Sequence, residues 1–413
     1  MAFPDAAAPP GRCDLSTNSL RGSGPGRLTL VIHSLEAGGA ERISSILANG
    51  LSGRGWTVTI LTLNGEEPVA FYALAQSVAH EPLGLGRTTV LGRSLGRILP
   101  PRFIDGLKRI PLSHLWNFAA KAWRLRKGIR QSRPDVVLAF IDVSNILTLL
   151  ATLGLGVPVV ISERNDPAQA PLGWIWRLLR DLTYPRAACL VVLSDDIRTW
   201  FPARVRRRIR VIPNPVIPPP EGLTGRRGGG KPGRIIAVGR LSREKGFDVL
   251  LEAFARTRRG YQGWTLEIWG EGALRSELEA LRDRLGLHER VSFPGLTQSI
   301  HAHYASSDIF VLSSRTEGFP NALCEAMSHA IPVVATSCSG GVREILRPGL
   351  DGLLVPPEDP EALAQALCRL MDAPSLRRDL GLRAAEITRR FSLGTFLDKW
   401  DRCLRDAGHD ANG

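Results

Sequence analysis

The sequence predicts an α/β protein: two units of parallel sheet and helix, facing one another across a crevice. Three observations lead there. The chain has 413 residues, too many for one ordinary core and suited to two domains. Near-continuous apolar runs of strand length, such as 135–140, 157–162 and 188–194, belong in a parallel sheet covered on both faces. PPPEGLTGRRGGGKPG, residues 218–233, then breaks every apolar period, and a second strand-and-helix series begins behind it.

The elements follow in order. Residues 1–26 are rich in Ala, Pro, Gly and Ser and lack a basic start with an apolar core, so they are expected to be a disordered lead rather than a secretory signal. LTLVIH (28–33) reads as a strand, and Gly38-Gly39 as a turn into a helix spaced by Ile43, Ile46, Leu47 and Leu51. Such a turn lets an anion approach a helix N-terminus, and it serves equally as a plain tight turn. WTVTILTL (56–63) is the next strand. The apolar stretch from Val136 to Ile161 is interrupted by Asp142, Asn145, Gly154, Gly156 and Pro158. It reads as strand, short helix and strand, not a membrane span. The first unit is placed at 27–213, and 214–232 is the linker.

The second unit, 233–390, opens with a strand at 234–238 and a loop holding Gly239, Arg240, Lys245 and Gly246. These cations stand beyond the carboxyl end of the strand, where they suit a diphosphate; an ordinary basic loop has the same composition. Strands follow at 265–270 and 291–296, the second ending in a turn with Gly295. DIFVLSS (308–314) then leads into EGFPNALCE (317–325), and Ala322, Leu323, Ala326, Met327 and Ala330 recur at helical spacing. Gly318, Asn321 and Glu325 follow by three and four and are expected on one helix face. A glycine-bearing helix N-terminus flanked by two carboxylates suits a ligand with both phosphate and hydroxyls. Otherwise Glu317 is a cap and Glu325 a solvated helix residue. IPVVAT (331–336), the glycine turn SCSGGVREIL, a strand near 351–359, and helices at about 360–374, 376–391 and 393–407 complete the chain.

Composition narrows the class. Apolar content of 44% and charged content of 23% are those of a soluble globular protein. The six cysteines (13, 189, 324, 338, 368 and 403) show no paired or zinc-binding spacing, as in a reduced cytosolic protein. The net charge is +13, and twelve Lys and Arg residues against one acid, Asp105, lie between Gly86 and Arg133. Leu95, Phe103, Trp116, Phe118 and Trp123 are interleaved with them. This segment reads as a contact with an anionic membrane surface through 93–130, or as a solvated basic face. No nucleic-acid motif accompanies it.

Together, Gly38-Gly39, Gly239-Arg240, Lys245-Gly246, IPNPV (212–216), the Glu317 and Glu325 pair in E-x7-E spacing, and Ser339 to Glu344 resemble the retaining glycosyltransferases of family 4. The resemblance covers about 27–405. It implies the GT-B fold of two Rossmann-like domains around a central cleft, with residues 391–413 forming a helix and tail that cross back to the first domain. It implies a nucleotide-diphosphate sugar as donor, with no cofactor and no metal. Arg240 and Lys245 would bind the diphosphate, Glu317 the sugar hydroxyls, and Glu325 the ribose. Gly38, Gly39, Gly239, Gly295, Gly318, Phe319 and Asn321 would complete the donor site. Many members carry a histidine on the loop that here reads Ser162 to Asn165. That departure resembles the subset building bacterial surface polysaccharides and lipid-linked glycans, and it puts Asp142, Glu163, Arg164 and Asn165 on the acceptor side. The implied location is cytoplasmic, peripheral on the inner membrane face. Two rivals remain open: a nucleotide-sugar epimerase on the same fold, and a non-catalytic membrane-bound scaffold.

Overall fold

The structure is a computed structural model describing residues 25–36, 38–65, 69–85, 112–164, 167, 173–223, 233–257, 260–297 and 299–409. Residues 1–24 of the expected lead, the basic stretch 86–111, Asn165 and residues 224–232 of the expected linker lie outside the described residues.

The described residues form two parallel sheets with helices on their faces. The first holds β1 (Arg27–Ile32), β2 (Thr57–Thr62), β3 (Val78–Pro82), β4 (Val136–Phe140), β5 (Val159–Ser162), β6 (Cys189–Val192) and β7 (Ile209–Val211). Its seven strands run in the order β3-β2-β1-β4-β5-β6-β7. The second holds β8 (Arg234–Val238), β9 (Thr265–Trp269), β10 (Val291–Gly295), β11 (Ile309–Leu312), β12 (Val333–Thr336) and β13 (Leu353–Val355). Its six strands run β10-β9-β8-β11-β12-β13. In both sheets the first strand sits centrally and the order reverses beside it, at β1/β4 and at β8/β11. Connecting loops diverge at such a reversal and leave a crevice beyond the carboxyl ends of the strands.

The central strands are apolar on both faces because helices cover both. In β4 all five residues are buried, and Leu30 lies opposite Ile60 on one side and Leu138 on the other. The stretch 136–161 is β4, the helix Asp142–Ala151 and β5, as its breakers suggest. Among the described residues no helix is long and apolar enough to cross a membrane. β3 was not anticipated. Its sequence, VAHEP, alternates buried and open positions at the sheet edge, so it lacks the double-faced apolar signal of its neighbours.

The helix Leu393–His409 belongs to the second half of the sequence but packs on the first sheet. Phe396, Leu397, Trp400, Cys403, Leu404 and Ala407 recur at helical spacing and join the core made by Leu28, Leu30, Val136 and Leu138. Trp400 is fully buried and stacks on Phe140 with ring centroids 6.1 Å apart. The outgoing and returning crossings are tied together where the Val216 amide donates to the Phe391 carbonyl at 2.7 Å.

Trp400→Ala is expected to cost about 3–5 kcal/mol, as for other large-to-small changes in a sealed core. Trp400→Phe should cost less, because the buried indole N–H has no hydrogen-bond partner to lose. Denaturant unfolding of the two variants measures the difference.

Candidate functional site

At the carboxyl end of β8 the chain turns through Gly239 and Arg240, then a single 3-10 turn, Arg243–Lys245, before the helix Phe247–Arg256. Gly246 makes the last bend with φ +61°, and a Cβ there would stand 2.2 Å from the Ser313 carbonyl oxygen. Only glycine meets both the left-handed backbone and that approach. The Ser313 hydroxyl donates to the Lys245 carbonyl at 2.9 Å, which ties this loop to the end of β11. The Lys245 ammonium therefore reaches Glu317, with Nζ to Oε1 at 2.6 Å. Ser314 Oγ donates to the same carboxylate oxygen, also at 2.6 Å.

Beyond β11 the loop through Glu317, Gly318 and Phe319 precedes the helix Asn321–Ser328. Gly318 is not on that helix, contrary to the spacing argument. Pro320 occupies the N-cap position, and a residue before proline is steered away from helical backbone, so the helix starts at Asn321. The Phe319 side chain packs edge-on against Phe391, 5.8 Å between centroids, and the residue lines the cleft.

From the first domain, Gly38 caps and Gly39 begins the helix Gly39–Ser52. A Cβ on Gly39 would lie 3.3 Å from the Asn321 amide nitrogen, so the two helix N-termini approach each other across the domains. Three residues on, Arg42 forms an ion pair with Glu325. The Tyr304 hydroxyl donates to the other oxygen of Glu325 at 3.3 Å. Burial and the Glu325 charge push the Tyr304 hydroxyl well above its ordinary pKa, so it stays a donor. Asn214, in the crossing segment, donates to Asn321 Oδ1 at 3.0 Å and accepts from Arg164 Nη1 at 2.8 Å.

These elements enclose a cleft of about 680 Å³. It is lined by Gly39, Arg42 and Tyr72 from one domain and by Gly239, Arg240, Lys245, Glu317, Gly318, Phe319, Asn321 and Glu325 from the other. Clefts of about 480 and 530 Å³ lie near Pro158, at the amino ends of the first sheet's strands. The 680 Å³ cleft alone of these lies beyond strand carboxyl ends, where cations, carboxylates and helix N-termini converge. Among the described residues no group of His, Cys, Asp or Glu has the arrangement to hold a metal ion.

Gly38 adjoins the cleft through the helix it caps, its carbonyl accepting from the Arg42 amide at 3.0 Å. Gly295 ends β10, two strands from β8, and does not line the cleft. Asp142 accepts from the neighbouring Val143 amide at 2.7 Å. Glu163 and Arg164 are buried behind the cleft rather than open to it. The Tyr184 hydroxyl donates to Glu163, and Arg164 lies over the Phe140 ring at 4.6 Å. Arg42, Tyr304 and Asn214 were not singled out from sequence. Arg42 was legible there, since GGAER places it one turn beyond the glycines on the same face.

Burial pushes the Glu163 carboxyl up to about 7, against the opposing hydrogen bond from Tyr184. The folded state thus favours the neutral acid. That stability is fully present below the range of a free carboxyl and is lost as pH rises through about 7. Glu163→Gln should therefore stabilise the fold at pH 8 by roughly 3 kcal/mol and change little near pH 4. Unfolding curves at the two pH values give the comparison, and equal effects at both would show that Glu163 does not titrate in this way.

Comparison with known proteins bears on the family and the fold. Residues 232–373 match the family described as Glycosyl transferases group 1, and residues 38–215 match the Glycosyl transferase 4-like domain. An exopolysaccharide phosphotransferase of Streptomyces coelicolor is 32% identical over 74% of this chain, which spans about a third (32%) of that protein's length. The GalNAc-α-(1→4)-GalNAc-α-(1→3)-diNAcBac-PP-undecaprenol α-1,4-N-acetyl-D-galactosaminyltransferase of Campylobacter jejuni is 29% identical over 69% of this chain and 79% of its own. Lipopolysaccharide core biosynthesis glycosyltransferase LpsD of Rhizobium meliloti is 29% identical, covering 71% and 82%. Among solved structures, sucrose-phosphate synthase from Thermosynechococcus elongatus superposes with a TM-score of 0.75 at 20% identity, covering 92% of this chain and 98% of its own. Anabaena HepE, solved with UDP and glucose, gives 0.71 at 20%, covering 92% and 99%. The fold is that of the GT-B glycosyltransferases, and the chain carries a Glycosyl transferase 4-like domain followed by a Glycosyl transferases group 1 domain.

Proposed function

We propose that the protein moves a hexosyl group from a nucleoside-diphosphate sugar to an acceptor hydroxyl, with the anomeric configuration retained. The observation that carries this reading is the convergence of Arg240, Lys245 and two helix N-termini with Glu317 and Glu325 in one cleft. In the transfer, the bond from the anomeric carbon to the diphosphate oxygen breaks, and a bond to the acceptor oxygen forms on the same face. The acceptor proton passes to the departing phosphate oxygen, so no protein nucleophile is required. The growing charge on that oxygen is met by Arg240, Lys245 and the backbone N–H groups at the start of the helix Asn321–Ser328. Glu317 accepts from the sugar hydroxyls, with Lys245 and Ser314 holding its carboxylate in place.

The chemistry of the relatives supports a bacterial surface glycan or a polyprenyl-diphosphate-linked saccharide as acceptor. Peripheral attachment to an anionic membrane fits two helices of the first domain. On Leu112–Ser132, Trp123, Arg124, Lys127 and Arg130 are exposed, and on Trp174–Thr183, Trp174, Leu178 and Leu182 are exposed in one stripe. Phe118 packs on Trp176 and joins the two helices. Arg126 instead donates to the carbonyls of Ala151 and Leu153 at 2.9 and 2.6 Å, so it serves the fold.

A thermal screen of nucleotide sugars tests the donor: the true one should stabilise by about 2.7 kcal/mol at a hundredfold excess over its Kd. With donor and acceptor, Arg240→Ala and Lys245→Ala should each lower transfer by about 10²–10³-fold. Donor turnover that ignores the acceptor would favour an epimerase or hydrolase instead. Replacing Arg124, Lys127 and Arg130 with Gln should release the protein from phosphatidylglycerol vesicles, and unchanged co-sedimentation would remove the membrane reading.

A further inference from the structure

Glu325 is already engaged before any ligand arrives. Arg42 pairs with Oε1 and Tyr304 donates to Oε2. A carboxylate offers about four lone-pair positions, two on each oxygen. Each oxygen of Glu325 therefore keeps one free position after these contacts, and the side chain lines the cleft. Two acceptors held in one plane at a fixed separation match a vicinal diol, whose two hydroxyls donate side by side.

The two holders differ in kind. Tyr304 is fully buried on the same domain as Glu325 and is wedged by Phe310 and His329. Arg42 comes from the opposite domain, from the first turns of the helix Gly39–Ser52. Its side chain is about one-third exposed (31%), against 16% for Glu325. The cation therefore reaches the carboxylate from across the domains, whereas Tyr304 holds it from within its own domain.

We propose that Arg42, assisted by Tyr304, is a positioning residue that sets the Glu325 carboxylate for the 2′ and 3′ hydroxyls of the donor's ribose, making ribose recognition depend on closure of the two domains. This rests on the reading of Glu325 as the ribose holder. It predicts that Arg42 governs the choice between ribose and deoxyribose and not merely the strength of binding. A latch that only held the domains together would weaken both nucleotides alike.

The test is calorimetric titration of the full chain with four ribonucleoside diphosphates and their 2′-deoxy counterparts. The readout is the ratio of ribo to deoxy affinity, not either affinity alone. The wild type should prefer the ribo form, and Glu325→Gln should abolish the preference. Arg42→Gln should lower the ratio about tenfold, the scale of one hydrogen bond to a charged group. Tyr304→Phe should lower it in the same direction, and Arg42→Lys should restore part of it. If Glu325→Gln abolishes the preference while Arg42→Gln keeps the wild-type ratio, the positioning role is wrong and the Glu325 assignment stands. A wild type without preference, or a Glu325→Gln variant that keeps it, overturns the assignment itself and this proposal with it. Binding of no diphosphate at all overturns the nucleotide reading of the cleft.

Discussion

Parallel strand pairing is the constraint on which the site depends. Every paired strand in both sheets runs parallel, so each crossover must carry the chain back and begin again at the amino edge. Turns and helix N-termini are thereby gathered at the carboxyl edge. Each sheet also reverses its strand order beside its first strand, which opens a gap in that edge. With the two edges facing, the gap in one looks into the gap in the other. Helix N-termini bring partial positive charge to the cleft, and Arg42, Arg240 and Lys245 add to it. Glu244, Glu317 and Glu325 line the same cleft and oppose that positive charge.

Several contacts that cross between the domains near the cleft are polar, beside a buried apolar seam in which Leu193 and Ile197 of the first domain share a cluster with Val342 and Ile345 of the second. Arg42 meets Glu325, Asn214 meets Asn321, Arg343 meets Asp196 at 2.7 Å, and the Asp195 amide donates to Glu344 at 2.9 Å. The Arg343 and Asp196 side chains are both more than half exposed, so that pair adds little to stability. Contacts of this kind exchange readily with water, in contrast to the sealed apolar cores of the sheets.

The fold class was legible because its signal is coarse. Five-residue runs such as VVLAF, buried throughout in β4, read as double-covered strands whatever their partners. The site was legible in part, through residues whose local context is itself unusual: Gly246 before a helix, or two glutamates flanking a glycine and a proline. Arg42 and Tyr304 escaped for a physical reason. Each is an ordinary residue on a regular helix, and its importance arises only when another element 283 or 21 positions away is folded against it. Glu163 shows the reverse case. Its place at the end of a central strand suggested an open acceptor site, yet the hydroxyl of Tyr184, 21 residues later, draws it into the interior.

The returning C-terminal helix has a consequence for how the molecule is made. During synthesis the first sheet leaves the ribosome long before residues 393–409 exist, and domains ordinarily fold as units in the order they emerge. Here that order fails at its last step. The face of β1 and β4 that Trp400 covers stays open to water while the whole second domain is translated. The nascent first domain therefore waits with a hydrophobic surface uncovered until the C-terminal helix has been made.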